Sequence, residues 1–375
     1  MQLFANQNRQ RSKLLAAYAS SAWFFGVVCL LLNASYVQAE TPLNKNPDGL
    51  GAADVLVPPA PKAAKRPSAP ATGKSVSAAD ARRARLQRIN GVASWGYQLA
   101  SLSLPAAQSA PYGMLVVDAT TGLESGKPFT RDEVERLKRA PDGSRRLVIS
   151  YLSIGEAEDY RADYYAKEYM EEEAPDWLMK ENPQWKGNRL IRFCLEGWQK
   201  TILGDENGRN VYSGDDPSPL YRLLELGFDG VYLDRVDVYS EISKECPDGA
   251  NKMVDFVARL AAHARKADPT FLVILQNAEE LLTHPKLVET IDGIAKESLF
   301  YGGDMSQNKN SPAQVEAVLD NLRRAKAAGR AVFVVDYVSD RARNADAIRR
   351  IRAEGFVPYI GPRNLAHLWL PGVQF

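Results

Sequence analysis

The chain has 375 residues, with 47 lysines and arginines against 46 aspartates and glutamates, which gives a formal net charge of +1. This balance provides no excess of basic residues for nucleic acid, so we expect no nucleic-acid partner. His263, His284 and His367 do not form the H-x-H or H-E-x-x-H spacing of zinc sites, which argues against a histidine-built metal centre.

Residues 1–39 have the pattern of a secretory signal peptide. A basic stretch ending at Lys13 precedes an apolar core at Ala22–Leu32, and small residues ending at Ala39 lie where signal peptidase cleaves. An uncleaved anchor, or a lipoprotein signal at Cys29, is the alternative. We expect a secreted or periplasmic protein without stable membrane insertion after cleavage.

Residues 40–88 are rich in Pro, Ala, Lys and Ser and nearly free of aromatic residues. Such a composition buries too little apolar surface to offset the entropy of ordering. The segment is predicted to be a disordered basic linker. Its lysines and arginines are either solvated or in contact with an anionic envelope or polysaccharide.

Residues 89–375 alternate between β-rich apolar runs and helical patterns. Trp95–Leu99 is an additional candidate strand before the first of eight predicted strands. The eight runs are Gly113–Asp118, Arg146–Ser153, Arg189–Phe193, Gly230–Asp234, Thr270–Gln276, Asp292–Glu297, Ala331–Tyr337 and Phe356–Ile360. Short apolar runs of this kind are typical of parallel strands covered on both faces.

Helical patterns separate most of these runs. They cover Thr130–Arg139, Pro217–Leu226, Gly249–Ala267, Glu279–His284, Pro312–Ala328 and Ala345–Glu354. Thr130 and Glu133 form a capping-box pattern, and Gly227, Gly329 and Gly355 follow helices where a C-cap glycine belongs. The rhythm predicts a (β/α)8 TIM barrel at residues 89–375, with a doubly wound open sheet as the alternative. We expect a monomer.

Polar residues stand at most of the strand ends. They are Asp118, Ser153 with Glu156, Asp234, Gln276 with Asn277, Glu297 and Asp336. In α/β barrels the carboxyl ends of the strands form one face, where active sites lie. The pattern therefore predicts a polar cleft at the barrel mouth.

Two strands carry the same arrangement of carboxylates. Asp229 begins an Asp-Gly turn five residues before Asp234, and Asp292 does so five residues before Glu297. Because side chains alternate along a strand, Asp234 and Glu297 should stand at similar heights on the fourth and sixth strands. Two opposed carboxyl groups are what glycoside hydrolysis requires, and proximity would separate their pKa values.

Structural explanations exist for several of these acids. Asp229 and Asp292 are interpreted as turn residues that use Asx hydrogen bonding before a strand. Asp237 is a candidate for a helix cap, an ion-pair partner of Arg235, or a subsite residue. Asp118 and Asp336 are as readily structural as functional.

Lys296 offers a rival chemistry on the same strand as Glu297. If Lys296 faced the cleft instead, a desolvated lysine could form a Schiff base with a carbonyl substrate. Strand parity alone does not decide between the two neighbours, although no glycine-rich phosphate loop accompanies this lysine.

Aromatic residues near the strand ends, and in the long segment after the second strand, are candidates for stacking on sugar rings. For each one taken singly, core packing is the more common role. They are Trp95, Tyr97, Trp177, Trp185, Trp198, Tyr232, Tyr301 and Tyr337.

An ordered set of motifs resembles glycoside hydrolase family 114, the endo-α-1,4-polygalactosaminidase-like barrels. The motifs are YLSIGEAEDYR (Tyr151–Arg161), W-x-G-N (Trp185–Asn188), GFDGVYLDRVD (Gly227–Asp237), QNAEEL (Gln276–Leu281) and DGIAKESLFY (Asp292–Tyr301). The resemblance covers about Trp95 to Ile360. More distantly, the chain is similar to the hydrolase domain of a periplasmic exopolysaccharide-processing protein.

The resemblance implies that Asp234 and Glu297 are the catalytic carboxylates and that no metal or other cofactor is needed. We expect Asp234 to be the nucleophile or base and Glu297 the general acid, with the exchanged assignment left open. The predicted substrate-binding residues are Asp118, Tyr151, Glu156, Arg161, Gln276, Asn277, Tyr301 and Asp336. One departure is Cys194, which stands where the family commonly has an aromatic residue.

The hypothesis is an exported endo-glycosidase whose partner is an α-linked, galactosamine-rich exopolysaccharide. The alternative is a catalytically silent barrel that binds such a polymer. In an exported chain Cys194 and Cys246 could pair, but the sequence does not show that they are close.

Overall fold

A computed structural model describes residues 77–121, 127–159, 174–183, 186–211 and 216–369. The predicted signal peptide, most of the predicted linker, Arg161 and Trp185 lie outside the described residues. No helix among those described is both long enough and apolar enough to cross a membrane.

The strands are short and mostly buried. In chain order they are β1 (Trp95–Gln98), β2 (Met114–Val117), β3 (Leu147–Ser153), β4 (Glu156–Glu158), β5 (Leu178–Glu181), β6 (Asn188–Ile191), β7 (Gly230–Asp234), β8 (Leu272–Gln276), β9 (Gly293–Glu297), β10 (Ala331–Asp336) and β11 (Val357–Ile360).

The helices surround the strands. They are α1 (Ala78–Asn90), α2 (Leu104–Ser109), α3 (Arg131–Leu137), α4 (Glu196–Leu203), α5 (Pro219–Leu226), α6 (Gly249–Ala267), α7 (Pro285–Thr290), α8 (Pro312–Ala327) and α9 (Arg341–Ala353), with 3₁₀ turns at Val236–Ser240 and Glu279–Thr283. The capping box of Thr130 and Glu133 is present, and Gly227 caps α5 with a φ of 83°.

Eight parallel strands form the barrel within the described part of the chain, in the order β1-β2-β3-β7-β8-β9-β10-β11. The indole N–H of Trp95 on β1 donates to the carbonyl oxygen of Val357 on β11, 3.1 Å away, and the ring of Trp95 lies 5.6 Å from that of Tyr359. These contacts bring the two edge strands together, so the predicted (β/α)8 architecture is confirmed.

The predicted third strand was wrong, because the run Arg189–Phe193 does not enter the barrel. It supplies β6, which pairs antiparallel with β4 and β5 in a separate three-stranded sheet. Three of the four β6 residues are half-buried, whereas all four residues of β1 are buried. The additional candidate strand is therefore the first barrel strand, and Asp234 and Glu297 remain on the fourth and sixth.

Helix α1 corrects the boundary of the predicted linker, because residues 78–88 are helical. Ser77 caps the helix by accepting from the N–H of Asp80, and Ile89 is fully buried. Arg85 and Arg88 anchor α1 to acidic residues that precede two barrel strands, at 3.0 and 2.6 Å. The composition of this segment gave no sign of the helix, whose arginines form ion pairs with Asp292 and Asp229 of the barrel.

Asp229 and Asp292 are the acidic partners of α1, and the Asx-turn interpretation of both was wrong. Asp229 accepts from the N–H of Val148 on β3 at 3.0 Å, and Asp292 accepts from the N–H of Val273 on β8 at 2.9 Å. Each carboxylate thus bonds the strand next to its own and an arginine of α1. The repeated Asp-Gly pattern marks the amino-terminal end of the barrel, opposite the mouth.

Candidate active site

Asp234 and Glu297 end β7 and β9 at the mouth of the barrel, and both are half-buried. Each is followed by a non-glycine residue in the left-handed region, Arg235 at φ 57° and Ser298 at φ 51°. Such strain is uncommon and persists where the surrounding structure enforces it, often at active sites.

The Asp234 carboxylate accepts two hydrogen bonds, from the Tyr151 hydroxyl and from the N–H of Arg235, both at 2.7 Å. Burial raises the pKa of Asp234 to about 7, and the negative charge of Glu297 adds to the rise, whereas the bond from Tyr151 opposes it. The two carboxyl groups therefore interact electrostatically, and the raised pKa favours the protonated form of Asp234.

The loop after β3 packs closely against the end of β7. The Ile154 N–H donates to the carbonyl oxygen of Asp234 at 3.1 Å. A Cβ at Gly155 would lie 2.1 Å from the carbonyl oxygen of Arg235, so only glycine fits there. This glycine allows the two strand ends to meet beside Asp234.

Glu297 is held by side chains from the strands on either side of β9. The Tyr337 hydroxyl, just after β10, donates to Oε1 of Glu297. The Asn277 amide, just after β8, donates to Oε2 at 3.3 Å, and its Oδ1 accepts from the Glu297 N–H at 3.2 Å. The predicted contact of Asn277 with substrate stays a prediction, and its direct partner in this structure is Glu297.

Two tyrosines lie deeper in the barrel. Tyr97 on β1 and Tyr232 on β7 are buried with their ring centroids 5.2 Å apart, and the Tyr97 hydroxyl lies 3.4 Å from Oε1 of Gln276. Burial raises the pKa of both phenols well above the usual value, and the charges of Glu297 and Asp234 contribute. The carboxylates therefore stand above an aromatic floor.

Asp118 and Gln276 are buried at the ends of β2 and β8. Asp118 accepts from the N–H and the hydroxyl of Thr120, at 3.0 and 3.1 Å. The strand register places Asp118, Gln276, Tyr151 and Asp234 on the inward face.

Glu156 lies beside the mouth but its carboxylate is occupied. It is buried, accepts from Asn182 at 2.7 Å and from Asn188 at 2.9 Å, and pairs with Arg235 at 3.0 Å. These contacts fasten the small β4–β6 sheet to the residue after Asp234. These contacts shape the mouth, and the predicted contact of Glu156 with substrate stays a prediction.

Asp336 and Tyr301 were predicted to bind substrate, and the structure places both away from the cleft. Asp336 is fully buried and accepts from the N–H of Phe300 at 3.3 Å, so it supports the loop after β9. Its pKa is raised to about 7 by burial. The Tyr301 hydroxyl donates to Asp346 on α9 at 2.6 Å.

Lys296 does not share the face of Glu297, so the Schiff-base interpretation was wrong about its orientation. Its ammonium pairs with Glu279 at 3.2 Å in the 3₁₀ turn after β8. Burial acts to lower the pKa of Lys296, but the charges of Glu279 and Glu280 outweigh it and the pKa is raised. A lysine held in its charged form is a poor nucleophile.

Sequence reasoning named Tyr337 and Tyr232 only as general aromatic candidates and missed Arg363. The Arg363 guanidinium lies over the Tyr337 ring, 4.6 Å from its centroid, and donates to the Gly302 carbonyl at 3.0 Å. Strand parity could have identified Tyr337, two residues beyond the inward Val335. No local signal identifies Arg363.

Most of the tryptophans that were candidates for stacking on sugar rings belong to the core. Trp95, Trp177 and Trp198 are buried, and the last two pack with ring centroids 4.9 Å apart. Asp237 is partly exposed and lies 3.7 Å from Arg235, which agrees with the ion-pair interpretation. Among the described residues, no three His, Cys, Asp or Glu side chains group as metal ligands.

The sequence model of glycoside-hydrolase family GH114 matches residues 75–371. An uncharacterized protein of Deinococcus radiodurans is 33% identical over 285 residues, which cover 75% of this chain and 84% of that protein. An uncharacterized protein of Methanocaldococcus jannaschii is 32% identical over 281 residues, which cover 71% and 74% of the two chains.

Two solved structures share the fold at lower identity. The glycoside hydrolase domain of PelA from Pseudomonas aeruginosa has a TM-score of 0.55 at 19% identity, covering 74% of this chain and 97% of that one. Ega3 of Aspergillus fumigatus, in complex with galactosamine, has a TM-score of 0.53 at 18% identity, covering 74% and 94%.

Proposed function

Because the chain belongs to glycoside hydrolase family GH114, we propose that it cleaves internal α-linkages of a galactosamine-rich exopolysaccharide with Asp234 and Glu297. Family membership makes the chain a glycoside hydrolase. The observation that carries the assignment of residues is the pair of interacting, half-buried carboxyl groups at the ends of β7 and β9.

In this mechanism one carboxyl group protonates the glycosidic oxygen as the bond to the anomeric carbon breaks. The other carboxylate either attacks that carbon or removes a proton from the attacking water. The raised pKa of Asp234 favours Asp234 as the acid, which exchanges the roles expected from the sequence. Glu297, with hydrogen bonds from Tyr337 and Asn277, then serves as nucleophile or base.

An amino sugar is supported by the charge beside the pair. The charge of Asp237, in the segment after β7, adds to the rise in the pKa of Asp234. Negative side chains attract a free ammonium group, so we propose a polymer that is at least partly de-N-acetylated. The galactosamine bound by Ega3 supports the same sugar class.

Export is supported by a disulfide between Cys194 and Cys246, whose Cα atoms are 6.0 Å apart. Disulfides persist mainly in oxidising compartments. The bond joins the segment after β6 to the loop before α6. We propose that the protein acts outside the cytoplasm.

The test uses purified galactosamine polymers of graded acetylation, with mass spectrometry of the released oligosaccharides. Asp234→Asn and Glu297→Gln should each lower turnover by about 10³-fold or more. Asp320→Asn and Glu316→Gln, the same changes on the exposed surface of α8, are the matched controls. Full activity in both mouth variants would disprove the assignment.

A polymer that binds without release of oligosaccharides would instead support a binding-only barrel. For an active enzyme, proton NMR of the first product gives the stereochemistry. If configuration is retained, azide should rescue Asp234→Ala with retention and Glu297→Ala with inversion. The opposite pattern would restore the roles expected from the sequence.

A further inference from the structure

Tyr232 has a buried hydroxyl that the fold leaves without a hydrogen bond. The side chain is fully buried, and its hydroxyl has no partner among the described residues. A buried, unsatisfied hydroxyl destabilises the folded state, and phenylalanine would fill the same space without that cost. The hydroxyl therefore calls for an explanation outside the packing of the core.

The position of Tyr232 suggests that explanation. It stands two residues before Asp234 on β7, so the two side chains share the inward face. Asp234 already accepts from Tyr151, and Glu297 already accepts from Tyr337. Tyr232 is thus a third phenol below the carboxylates, and it is not engaged by either.

The groups that face Tyr232 come from several strands. Tyr97 on β1 lies at 5.2 Å between ring centroids, and Trp95 at 6.5 Å. The charges of Glu297 on β9 and Asp234 on β7 act on the Tyr232 hydroxyl, and Tyr232 in turn acts on Tyr337 after β10. Gln276 on β8 also faces this floor, with its Oε1 3.4 Å from the Tyr97 hydroxyl.

We propose that Tyr232 is a positioning residue whose hydroxyl donates to the carboxylate that becomes charged as the reaction proceeds. This inference rests on the proposed function, in which the acid loses its proton to the glycosidic oxygen. A new charge forms there in a desolvated site, where a hydroxyl that turns toward it adds a stabilising hydrogen bond. In the resting structure the hydroxyl makes no hydrogen bond to either carboxyl group, so the donation requires a small movement of the side chain as the charge forms.

The main test is Tyr232→Phe, assayed for kcat/KM against pH and for thermal unfolding. A hydrogen bond to the ionised acid lowers the pKa of that acid. Loss of the bond should therefore move the basic limb of the kcat/KM profile to higher pH by about 0.5 unit. We expect kcat to fall by about 10-fold or more, as for loss of a transition-state donor. The Tm should stay unchanged or rise, because an unsatisfied hydroxyl is removed.

The matched control is Tyr112→Phe. The Tyr112 hydroxyl donates to the Trp369 carbonyl. Loss of that satisfied bond should lower the Tm and leave the pH profile unchanged. A lower Tm with an unchanged pH profile in Tyr232→Phe would mark a structural role and overturn the proposal.

If Tyr232→Phe does not fold, Tyr232→3-fluorotyrosine keeps the shape and makes the phenol a stronger donor. It should move the basic limb to lower pH, and an unchanged limb would overturn the proposal. Failure here is distinct from failure of the proposed function. Inactive Asp234→Asn and Glu297→Gln with an unchanged Tyr232→Phe profile would refute only the role of Tyr232.

Discussion

The side chain of Asn277 is bonded to Glu297 at two points. Its Nδ2 donates to Oε2 of Glu297 at 3.3 Å, and its Oδ1 accepts from the Glu297 N–H at 3.2 Å. Asn277 has a φ of 56°, a left-handed conformation that asparagine tolerates better than most residues. One residue therefore fixes both the backbone and the carboxylate of Glu297.

Removal of the Asn277 side chain should reduce catalysis by misplacing Glu297. We expect Asn277→Gly to lower kcat by about 10- to 100-fold, since small displacements of a reacting group have effects of this size. Glycine adopts the left-handed conformation without strain, so the Tm should change little. Asn277→Ala should lose the same activity but also unfold at lower temperature. Equal activity in Asn277→Gly and wild type would contradict this role.

The raised pKa of Asp234 predicts a pH-dependent effect on stability. The folded state keeps the proton up to about pH 7, whereas the unfolded chain releases it near the usual aspartate pKa of 3.8. This stabilising contribution is fully present below pH 3.8 and is lost as pH rises through 7. Asp234→Asn, which cannot ionise, should exceed wild type in Tm by a margin that grows from pH 4 to 7 and then levels off.

Asp336 also has a pKa raised to about 7, but it is present in both proteins and cancels from the comparison. Differential scanning fluorimetry at unit pH intervals measures the margin. A constant margin across this range would show that Asp234 ionises normally. In activity assays, kcat/KM should fall above about pH 7 as the acid loses its proton.

The Cys194–Cys246 disulfide should contribute to stability more than to catalysis. The bond closes a sequence separation of 52 residues. Replacement of both cysteines by serine should lower the free energy of unfolding by about 2–4 kcal/mol. Denaturant titration measures the loss, with wild type in reducing agent as the control. If the double serine variant, assayed below its Tm, changed kcat by more than a few-fold, the disulfide would also affect the geometry of the barrel mouth.

Asp292 should be among the most sensitive positions outside the mouth. Its buried carboxylate pairs with Arg85 at 3.0 Å and with Arg265 at 2.7 Å. Asp292→Ala should lower the free energy of unfolding by about 3–5 kcal/mol, because the buried guanidinium group of Arg85 and the half-buried one of Arg265 lose their counter-charge. Asp320→Asn on the surface of α8 should change it by less than about 0.5 kcal/mol. A small effect at Asp292 would contradict an anchoring role for α1.

Lys296 provides a direct test of the rejected Schiff-base chemistry. Borohydride treatment in the presence of carbonyl compounds should give no covalent adduct on Lys296, by peptide mass spectrometry. Lys296→Arg keeps the cation opposite Glu279 and should keep substantial activity. Lys296→Met leaves Glu279 uncompensated and should lower the Tm. Trapping at Lys296 in wild type, with Lys296→Arg inactive, would contradict the orientation described above.

Much of the fold was available from local patterns. Apolar runs bounded by turns located seven of the eight predicted strands in the barrel, and the capping signals located α3 and α5. The sequence failed at Arg189–Phe193 and at Trp95–Leu99, because a short apolar run does not specify its pairing partner. Pairing depends on contacts between residues far apart in the chain, as between Trp95 and Val357.

The candidate site divides in the same way. Strand-end carboxylates and the repeated Asp-Gly pattern pointed to Asp234 and Glu297 from sequence alone, since both signals are local. Inward and outward positions were ambiguous on β9 and β10, because both faces of a buried parallel strand are apolar. Only the packed barrel separates Glu297 from Lys296 and turns Asp336 away from the mouth.

The sequence by itself thus determined the barrel class and the two carboxylates proposed for catalysis, because strand periodicity and turn chemistry depend on residues close together in the chain. The tertiary structure decided what surrounds them: the bonds from Asn277 and Tyr337, the unpartnered hydroxyl of Tyr232, and the pairing of Asp292 with α1. Those contacts join residues from different strands and helices. Only the closed barrel brings these residues together, so their interactions and the raised pKa of Asp234 arise from the fold.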